Sequence, residues 1–166
     1  MKYFLPAAFR GEPFYNSSQS TVIFSDDKPF ERKLLTSYFY FDITEEERPW
    51  ENPASFLPQM FVLWREREAE LRSFFQKRDG KNGRTLMVAM TAVFIDALFW
   101  LNKKKVSQLQ NIEAAAARLK HKPVNIEERL RFILTKPESY HSFTQLRALM
   151  NELEKLTART KAMGEW

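Results

Sequence analysis

Apolar residues recur at intervals of three and four along most of this chain, which is the spacing of amphipathic helices rather than of strands. The most regular stripe lies between residues 55 and 78, where charged side chains fill the positions between the apolar ones. Its apolar members are Leu57, Met60, Phe61, Trp64, Leu71, Phe74 and Phe75. We therefore predict a long helix in this segment, with one buried face and one solvated face.

Four further amphipathic segments carry the signals of a helix start. One helix is predicted from Asp26 or Asp27, either of which can cap it, through the run SYFYF. A shorter helix is expected over about 107–119, because its EAAAAR segment has high helix propensity. Two more helices are predicted to start at Asn125 and Ser142, since each residue has a Glu or Gln three positions later, as in a capping box.

The segment TLMVAMTAVFIDALFWLNKKK, residues 85–105, departs from the amphipathic pattern. Between Leu86 and Leu101 its only polar side chains are Thr91 and Asp96. A membrane-spanning helix needs roughly 20 apolar residues, and an ionised aspartate inside hydrocarbon costs about 3 kcal/mol. We therefore predict no transmembrane segment here, but a helix surrounded by other helices at the centre of the protein.

The N-terminal residues, 1–25, combine Pro, Gly and Ser with many aromatic residues. A flexible tail would not carry so many aromatics, so we predict an irregular arm that docks on the rest of the chain. The run STVIF (20–24) has strand composition, but no second strand is evident to pair with it. Residues 26–166 are predicted to form one all-α domain, a bundle of five to six helices around the hydrophobic central helix.

Composition excludes several classes of function. The chain has no cysteine, which rules out disulfides, thiolate catalysis and cysteine-ligated zinc. Its two histidines, His121 and His141, lie on different predicted elements, and no glycine-rich phosphate-binding loop is present. We therefore expect neither a metal nor a cofactor. Because Pro6 interrupts the N-terminal apolar run, no export signal is evident, and we expect a cytoplasmic protein.

Asp96 is the main candidate for a buried polar site, with Tyr140 and His141 as further candidates. A buried acid with a raised pKa is a candidate general acid or base. We favour the alternative, in which an arginine or backbone donors compensate the carboxylate, as buried charges require. Ser142 beside His141 is better explained as a helix cap than as a nucleophile. Since no second convergent group is evident, we predict no catalytic residue and favour a non-enzymatic protein.

Two lysine clusters form a candidate basic patch. The first comprises Lys103, Lys104 and Lys105 after the central helix, and the second comprises Lys120 and Lys122 on either side of His121. The two clusters become neighbours if the adjoining helices form an antiparallel hairpin. Such a patch could contact phosphate groups of DNA. The interpretation that we favour is the simpler one, in which lysines at helix C-termini interact with the helix dipole.

Aromatic residues exceed what one amphipathic face needs around the end of the first predicted helix. Tyr38 and Tyr40 lie in the run SYFYF, and Trp50 lies in the acidic connection DITEEERPWENP. Aromatic side chains are frequent anchors of protein interfaces, although each could equally fill the core. The leading hypothesis is therefore an interaction module that binds another protein or itself, and the alternative is a DNA-associated accessory protein. The net charge of +5 permits the alternative without requiring it.

Three strings of the sequence are distinctive, namely PWENP (49–53), LFWLN (98–102) and KPVNIEERLRFILTKPESYHSF (122–143). Together they resemble the YpoC-like family, small proteins of Bacillus and related Firmicutes. The resemblance covers the chain from about Phe30 onward and the N-terminal arm least. It implies no activity and transfers no site residue. Genes of the family tend to lie near genes for DNA replication and repair proteins and for a cell-wall synthase, which agrees with a cytoplasmic, all-helical, non-enzymatic protein.

Overall fold

In a computed structural model, which describes residues 1–166, seven α-helices follow a small antiparallel sheet of two strands. The strands are β1 (Lys2–Phe4) and β2 (Thr21–Ile23), and 3-10 helices cover Ala7–Phe9 and Pro49–Glu51. The helices are α1 (Phe30–Thr36), α2 (Tyr40–Thr44), α3 (Pro53–Gln76), α4 (Gly80–Leu101), α5 (Ile112–Ala117), α6 (Ile126–Thr135) and α7 (Tyr140–Ala162). The predicted all-α class is confirmed.

Helix α4 is the predicted central helix, and the protein itself covers it. By length and composition α4 could cross a membrane, but 83% of its most apolar window is buried within the fold. Helices α1, α3 and α7 pack against it. The helix starts earlier than the glycine-rich loop suggested, because the Asp79 side chain accepts a hydrogen bond from the Asn82 N–H and caps the first turn. Gly83 of α4 is buried beside Phe74 of α3.

The C-terminus of α4 is closed by its own backbone. Lys103 has a left-handed backbone with φ of 58°. Its N–H bonds the Trp100 carbonyl at 2.9 Å, and the Lys104 N–H bonds the Phe99 carbonyl at 3.1 Å. This pair of bonds is a Schellman motif. The lysines thus end the helix as predicted, but through their peptide groups, so that their ammonium groups stay free for other contacts.

The first predicted helix is divided into α1 and α2 by a break at Ser37–Phe39. Phe39 has φ of 60°, in the left-handed region that a helix cannot contain. The Tyr15 hydroxyl of the arm donates to the Tyr38 carbonyl at 2.7 Å and occupies an acceptor freed by the break. After this break, α2 contacts Trp100 of α4 through Phe41 and Asp42, and Asp42 lies in the core, where it is 1% exposed.

The N-terminal arm is more ordered than the sequence indicated. The run at 20–24 does pair, because β2 finds its partner in β1 with Tyr3 opposite Val22. The inner face of this sheet packs its aromatic residues on α2, with the Phe24 and Tyr40 ring centroids 5.2 Å apart. One hydrophobic core of 41 buried residues includes both the arm and the helices. The arm therefore covers the core that the helices leave open on this side.

The later helices differ from the predicted ones at their starts. Helix α5 is shorter than expected, and α6 begins after Asn125, whose left-handed backbone replaces the predicted capping box. Helix α7 starts three residues earlier than predicted, because Ser139 is its cap. The Ser139 side chain accepts from the Ser142 N–H at 3.0 Å, while Ser142 itself is buried and donates to the Lys136 carbonyl.

Candidate functional site

Asp96 of α4 and Asp42 of α2 form a buried pair of carboxyl groups. Each residue is only 1% exposed. The Asp42 carboxylate accepts from Trp100, which lies one turn along α4 from Asp96, so the two carboxyl groups face the same part of the core and shift each other's pKa. Neither forms an ion pair with a lysine, arginine or histidine. The predicted arginine partner of Asp96 is therefore wrong, since a second acid takes its place.

Hydrogen bonds make the two carboxyl groups unequal. Asp42 Oδ1 accepts from Trp100 Nε1 at 3.1 Å and from the Val106 N–H at 2.9 Å. No other group in the protein donates to Asp42 Oδ2 or to Asp96 Oδ1, although both atoms are buried. A single proton between the two side chains satisfies this arrangement, with Asp42 as the carboxylate and Asp96 as its donor.

The electrostatics of the pair support the same assignment. Burial raises the pKa of Asp96 well above its usual value, and the neighbouring charge of Asp42 raises it further. Burial also raises the pKa of Asp42, but hydrogen bonds from Asp96, Trp100 and Val106 oppose this effect. Two facing carboxyl groups in a buried site favour one charge between them, as expected when like charges share such a site.

The carboxyl pair has no open route to solvent through the main surface clefts. Neither Asp42 nor Asp96 lines any of the five principal clefts. On the arm side lies Tyr15, itself 8% exposed, whose pKa is raised by burial and by the charges of Tyr38 and Asp96. A general acid must reach the atom that it protonates, and none of these five clefts leads to the pair.

Tyr140 and His141 do not join Asp96, so their place in a predicted buried polar site is wrong. Tyr140 is 59% exposed, and His141 is also exposed, at the first turn of α7. The His141 ring lies edge-on to Phe132 of α6 at 4.8 Å between centroids. Tyr140 packs against Phe75 of α3. Both residues thus help to close the surface seams between α7 and its neighbours.

Two of the three candidate interaction aromatics are part of the core. Tyr40 is 1% exposed and Trp50 is 7% exposed, while Tyr38 is half-buried. The prediction of exposed anchors is wrong for Tyr40 and Trp50. The physical reason for Tyr40 is the arm, whose Tyr3 and Phe24 cover it. Trp50 lies in the 3-10 helix Pro49–Glu51, which packs against α3 and α4.

The two lysine clusters are neighbours in the fold. Asn102, between α4 and the first cluster, joins them through its side chain. Its amide nitrogen donates to the His121 carbonyl and its oxygen accepts from the His121 N–H, both at 2.8 Å. Lys122 stays close, because its Nζ donates to the Leu119 carbonyl at 3.1 Å. The predicted proximity of the clusters is therefore present in the structure.

We name the resulting area the basic surface. It consists of Lys103, Lys104, Lys105, Arg118, Lys120 and Lys122. Only Lys105 and Lys120 of these form ion pairs, with Glu45 and Glu165, each at 3.2 Å and each partly exposed. The other four cations have no carboxylate partner. Exposed ion pairs are weak, so the area carries a surplus of available positive charge.

A cleft of about 280 Å³ crosses the basic surface. Its walls combine Lys104, Lys105 and Arg118 with the polar side chains of Ser107 and Gln108. A second cleft places Lys122 beside two further cations of α7, Lys155 and Arg159. Sequence reasoning missed Arg118 and the α7 cations. Arg118 could have been found from its position two residues before Lys120, whereas the α7 residues become neighbours only through the tertiary fold.

Sequence reasoning also missed Asp42, and a signal for it was available. Asp42 lies between Phe41 and Ile43, so it is an acidic residue inside an apolar run, like Asp96.

No group of three or more His, Cys, Asp or Glu side chains is arranged to hold a metal ion. The structure thus presents two features of interest, namely an internal carboxyl pair and an external basic surface.

Fold and surface together define a small all-α protein with a buried central helix and one area of unpaired cations on its surface. The family model described as YpoC-like protein matches residues 54–165. The chain belongs to the YpoC-like family, which confirms the resemblance seen in its sequence. It is similar to the protein named "Uncharacterized protein YpoC" of Bacillus subtilis (strain 168), with 32% identity over 136 residues, or 80% of this chain and 83% of that protein. No solved structure matches the chain.

Proposed function

We propose that this chain is a cytoplasmic, non-enzymatic binding protein and that its basic surface contacts the phosphate groups of nucleic acid. The observation that carries the proposal is the continuity of four unpaired cations, Lys103, Lys104, Arg118 and Lys122, on one area of the protein. Neutralisation of phosphates by lysine and arginine supplies most of the affinity of non-specific binding to nucleic acid.

The make-up of the cleft supports contact with a phosphate backbone. Arg118 offers a planar donor group suited to two phosphate oxygens, and the lysines offer mobile point charges. Ser107 and Gln108 add neutral donors of the kind that bond phosphate and sugar groups in such interfaces. None of the side chains lining this cleft is aromatic apart from Phe99, which favours backbone contact over stacking on bases.

The proposal predicts that reversing two of the unpaired charges weakens binding. Lys103→Glu together with Lys104→Glu should lower the affinity for a fluorescent DNA duplex at least tenfold at about 50 mM salt, since two contacts become two repulsions. Fluorescence anisotropy measures this directly. Both side chains are exposed, and the helix end depends on their backbone groups, so the fold is expected to survive.

The matched control reverses two lysines at the other end of α4. Lys77 and Lys81 are exposed and form no ion pair. They lie roughly 33 Å from the basic surface, given the 22 residues of α4. Lys77→Glu with Lys81→Glu changes the net charge equally but should weaken binding far less. Equal losses in both variants would contradict a localised site, and absence of wild-type binding would remove the proposal.

A second candidate function, binding to another protein or to a second copy, is favoured by an apolar groove. The groove, of about 310 Å³, lies between α3 and α7 and is floored by Pro58, Phe61, Val62 and Trp166. Val62 is 48% exposed there. Light scattering after size exclusion tests self-association. A dimer that Val62→Glu dissociates would support this candidate, and a monomer at all concentrations would exclude self-association.

A further inference from the structure

We propose that Asp42 and Asp96 hold one shared proton, which fastens the loop 102–111 to the helical core, and that loss of this proton releases the loop. This inference rests in part on the proposed function, because the loop carries Lys103, Lys104 and Lys105 and so forms half of the basic surface. The shared proton can nevertheless be tested without nucleic acid.

The loop is anchored chiefly through Asp42. Its Oδ1 atom accepts from the N–H of Val106, a residue that is 0% exposed, at 2.9 Å. Three residues of the loop also contact the arm or the end of α2. The Leu109 N–H bonds the Ala8 carbonyl at 2.8 Å, the Gln110 side chain donates to the Ala7 carbonyl at 3.1 Å, and Lys105 pairs with Glu45. Of these contacts the one to Asp42 lies deepest in the core, so the position of this carboxylate fixes the middle of the loop.

The surroundings of the pair offer no compensation for a second negative charge. Asp42 comes from α2, and Asp96 and Trp100 come from α4, while Val106 contributes only its backbone. From the arm, the Asp96 charge acts on Tyr15, whose hydroxyl already donates to the Tyr38 carbonyl. No lysine, arginine or histidine pairs with either carboxyl group. Two facing carboxylates in this environment would repel each other without screening by water.

The consequence is a direct link between the proton and the loop. With the proton present, Asp96 donates to Asp42, and Asp42 stays in place as acceptor for Trp100 and Val106. Without it, repulsion drives Asp42 away from α4 and stretches its bond to Val106. The loop then loses its polar anchor at Val106, so the segment after Lys104, which includes Lys105, is no longer fixed to the core. Asn102 and the backbone bonds of Lys103 and Lys104 still hold the first residues of the loop.

Amide hydrogen exchange at Val106 tests the release. The wild-type protein is compared with Asp96→Asn, in which the amide N–H₂ supplies a donor that cannot be lost. Between about pH 5 and about pH 9, the range that buried carboxyls reach, the protection of Val106 in wild type should fall relative to the variant. Once titration begins, the fall should approach tenfold per pH unit, the factor by which carboxyl ionisation changes.

A control and a second measurement keep the result decisive. Asp27→Asn alters an exposed aspartate without an ion pair and should leave the wild-type pH dependence unchanged. Infrared spectroscopy of wild-type protein should show one protonated carboxyl group at neutral pH. This measurement tests the shared proton even if the Asp96→Asn variant does not fold. Protection that follows the same pH course in wild type and variant, or the absence of a protonated carboxyl group, would overturn the inference.

The two proposals fail in distinguishable ways. If Val106 shows the expected pH dependence but no DNA duplex binds at low salt, the shared proton stands and the proposed function falls. In the opposite case, DNA binds, the Lys103→Glu/Lys104→Glu variant binds it more weakly, and Val106 protection does not depend on the carboxyl pair. That result supports the proposed function and contradicts the shared proton.

Discussion

Asp96 lies where an ionised side chain is least tolerated, inside an apolar helix and opposite another acid. Its folded pKa is raised, first by burial and then by the charge of Asp42. In the unfolded chain the group titrates near its usual value of 3.8. The folded protein therefore binds a proton that the unfolded chain has released. The stability from this group is fully present below the unfolded pKa and is lost as pH rises through the folded pKa.

The residue-scale prediction concerns Asp96→Asn. At neutral pH this variant should have a higher free energy of unfolding than wild type, because it provides the donor without taking up a proton. The advantage should grow with pH by up to about 1.4 kcal/mol per unit above the unfolded pKa, until the folded group titrates. Urea unfolding from about pH 5 to about pH 8 measures it. A difference that is constant with pH would show that the pair holds no extra proton.

At the scale of elements, the end of α4 and the link between α5 and α6 are joined by a single side chain. Asn102 makes two bonds to the backbone of His121, and a third to the Leu98 carbonyl at 2.8 Å. Glu165, which follows α7, then contacts His121 and Lys120 from the other side, at 3.0 and 3.2 Å. These contacts hold the two lysine clusters at a fixed separation, so the basic surface depends on uncharged groups as well as on its cations.

The prediction at this scale is that Asn102→Ala damages both stability and binding. Loss of the side chain leaves the His121 N–H without its partner, which costs about 1–3 kcal/mol. The affinity for DNA should fall as well, although no charge is removed, because the clusters are no longer fixed together. Denaturant unfolding and anisotropy measure the two effects. Asn151→Ala, at an exposed position of α7, is the control and should change neither. Unchanged affinity in Asn102→Ala would show that the two clusters act separately.

At the scale of the whole molecule, α4 organises both features. Its apolar sides form the centre of the core, its single acid meets Asp42, and its C-terminus places the first lysine cluster. Since charge is the dominant exposed chemistry at that end, binding there should depend strongly on salt. The apolar groove between α3 and α7 lies apart from this surface and is formed by a different pair of helices.

Composition and periodicity were enough to predict the central helix and the all-α class, because a run as apolar as 86–101 must be covered. They were not enough to predict the pairing of Asp96 with Asp42, which lie 54 positions apart (96 minus 42). Between the two residues lie the break at Phe39 and a hydrogen bond from Tyr15 of the arm to the Tyr38 carbonyl, neither of which the local pattern indicates. The arm also covers Tyr40. Local pattern does not encode where an arm docks, so the core residues beneath the arm were mistaken for exposed anchors.

The salt dependence of nucleic-acid binding tests the central claim most directly. Wild-type protein should lose affinity for a DNA duplex linearly on logarithmic axes, with a slope of roughly −0.9 for each phosphate contacted. Lys103→Glu/Lys104→Glu should make that slope less negative by about one to two units, because phosphate contacts are lost, whereas Lys77→Glu/Lys81→Glu should leave the slope unchanged. No binding by wild type at about 50 mM salt, or the same slope in all three proteins, would contradict the assignment of the basic surface.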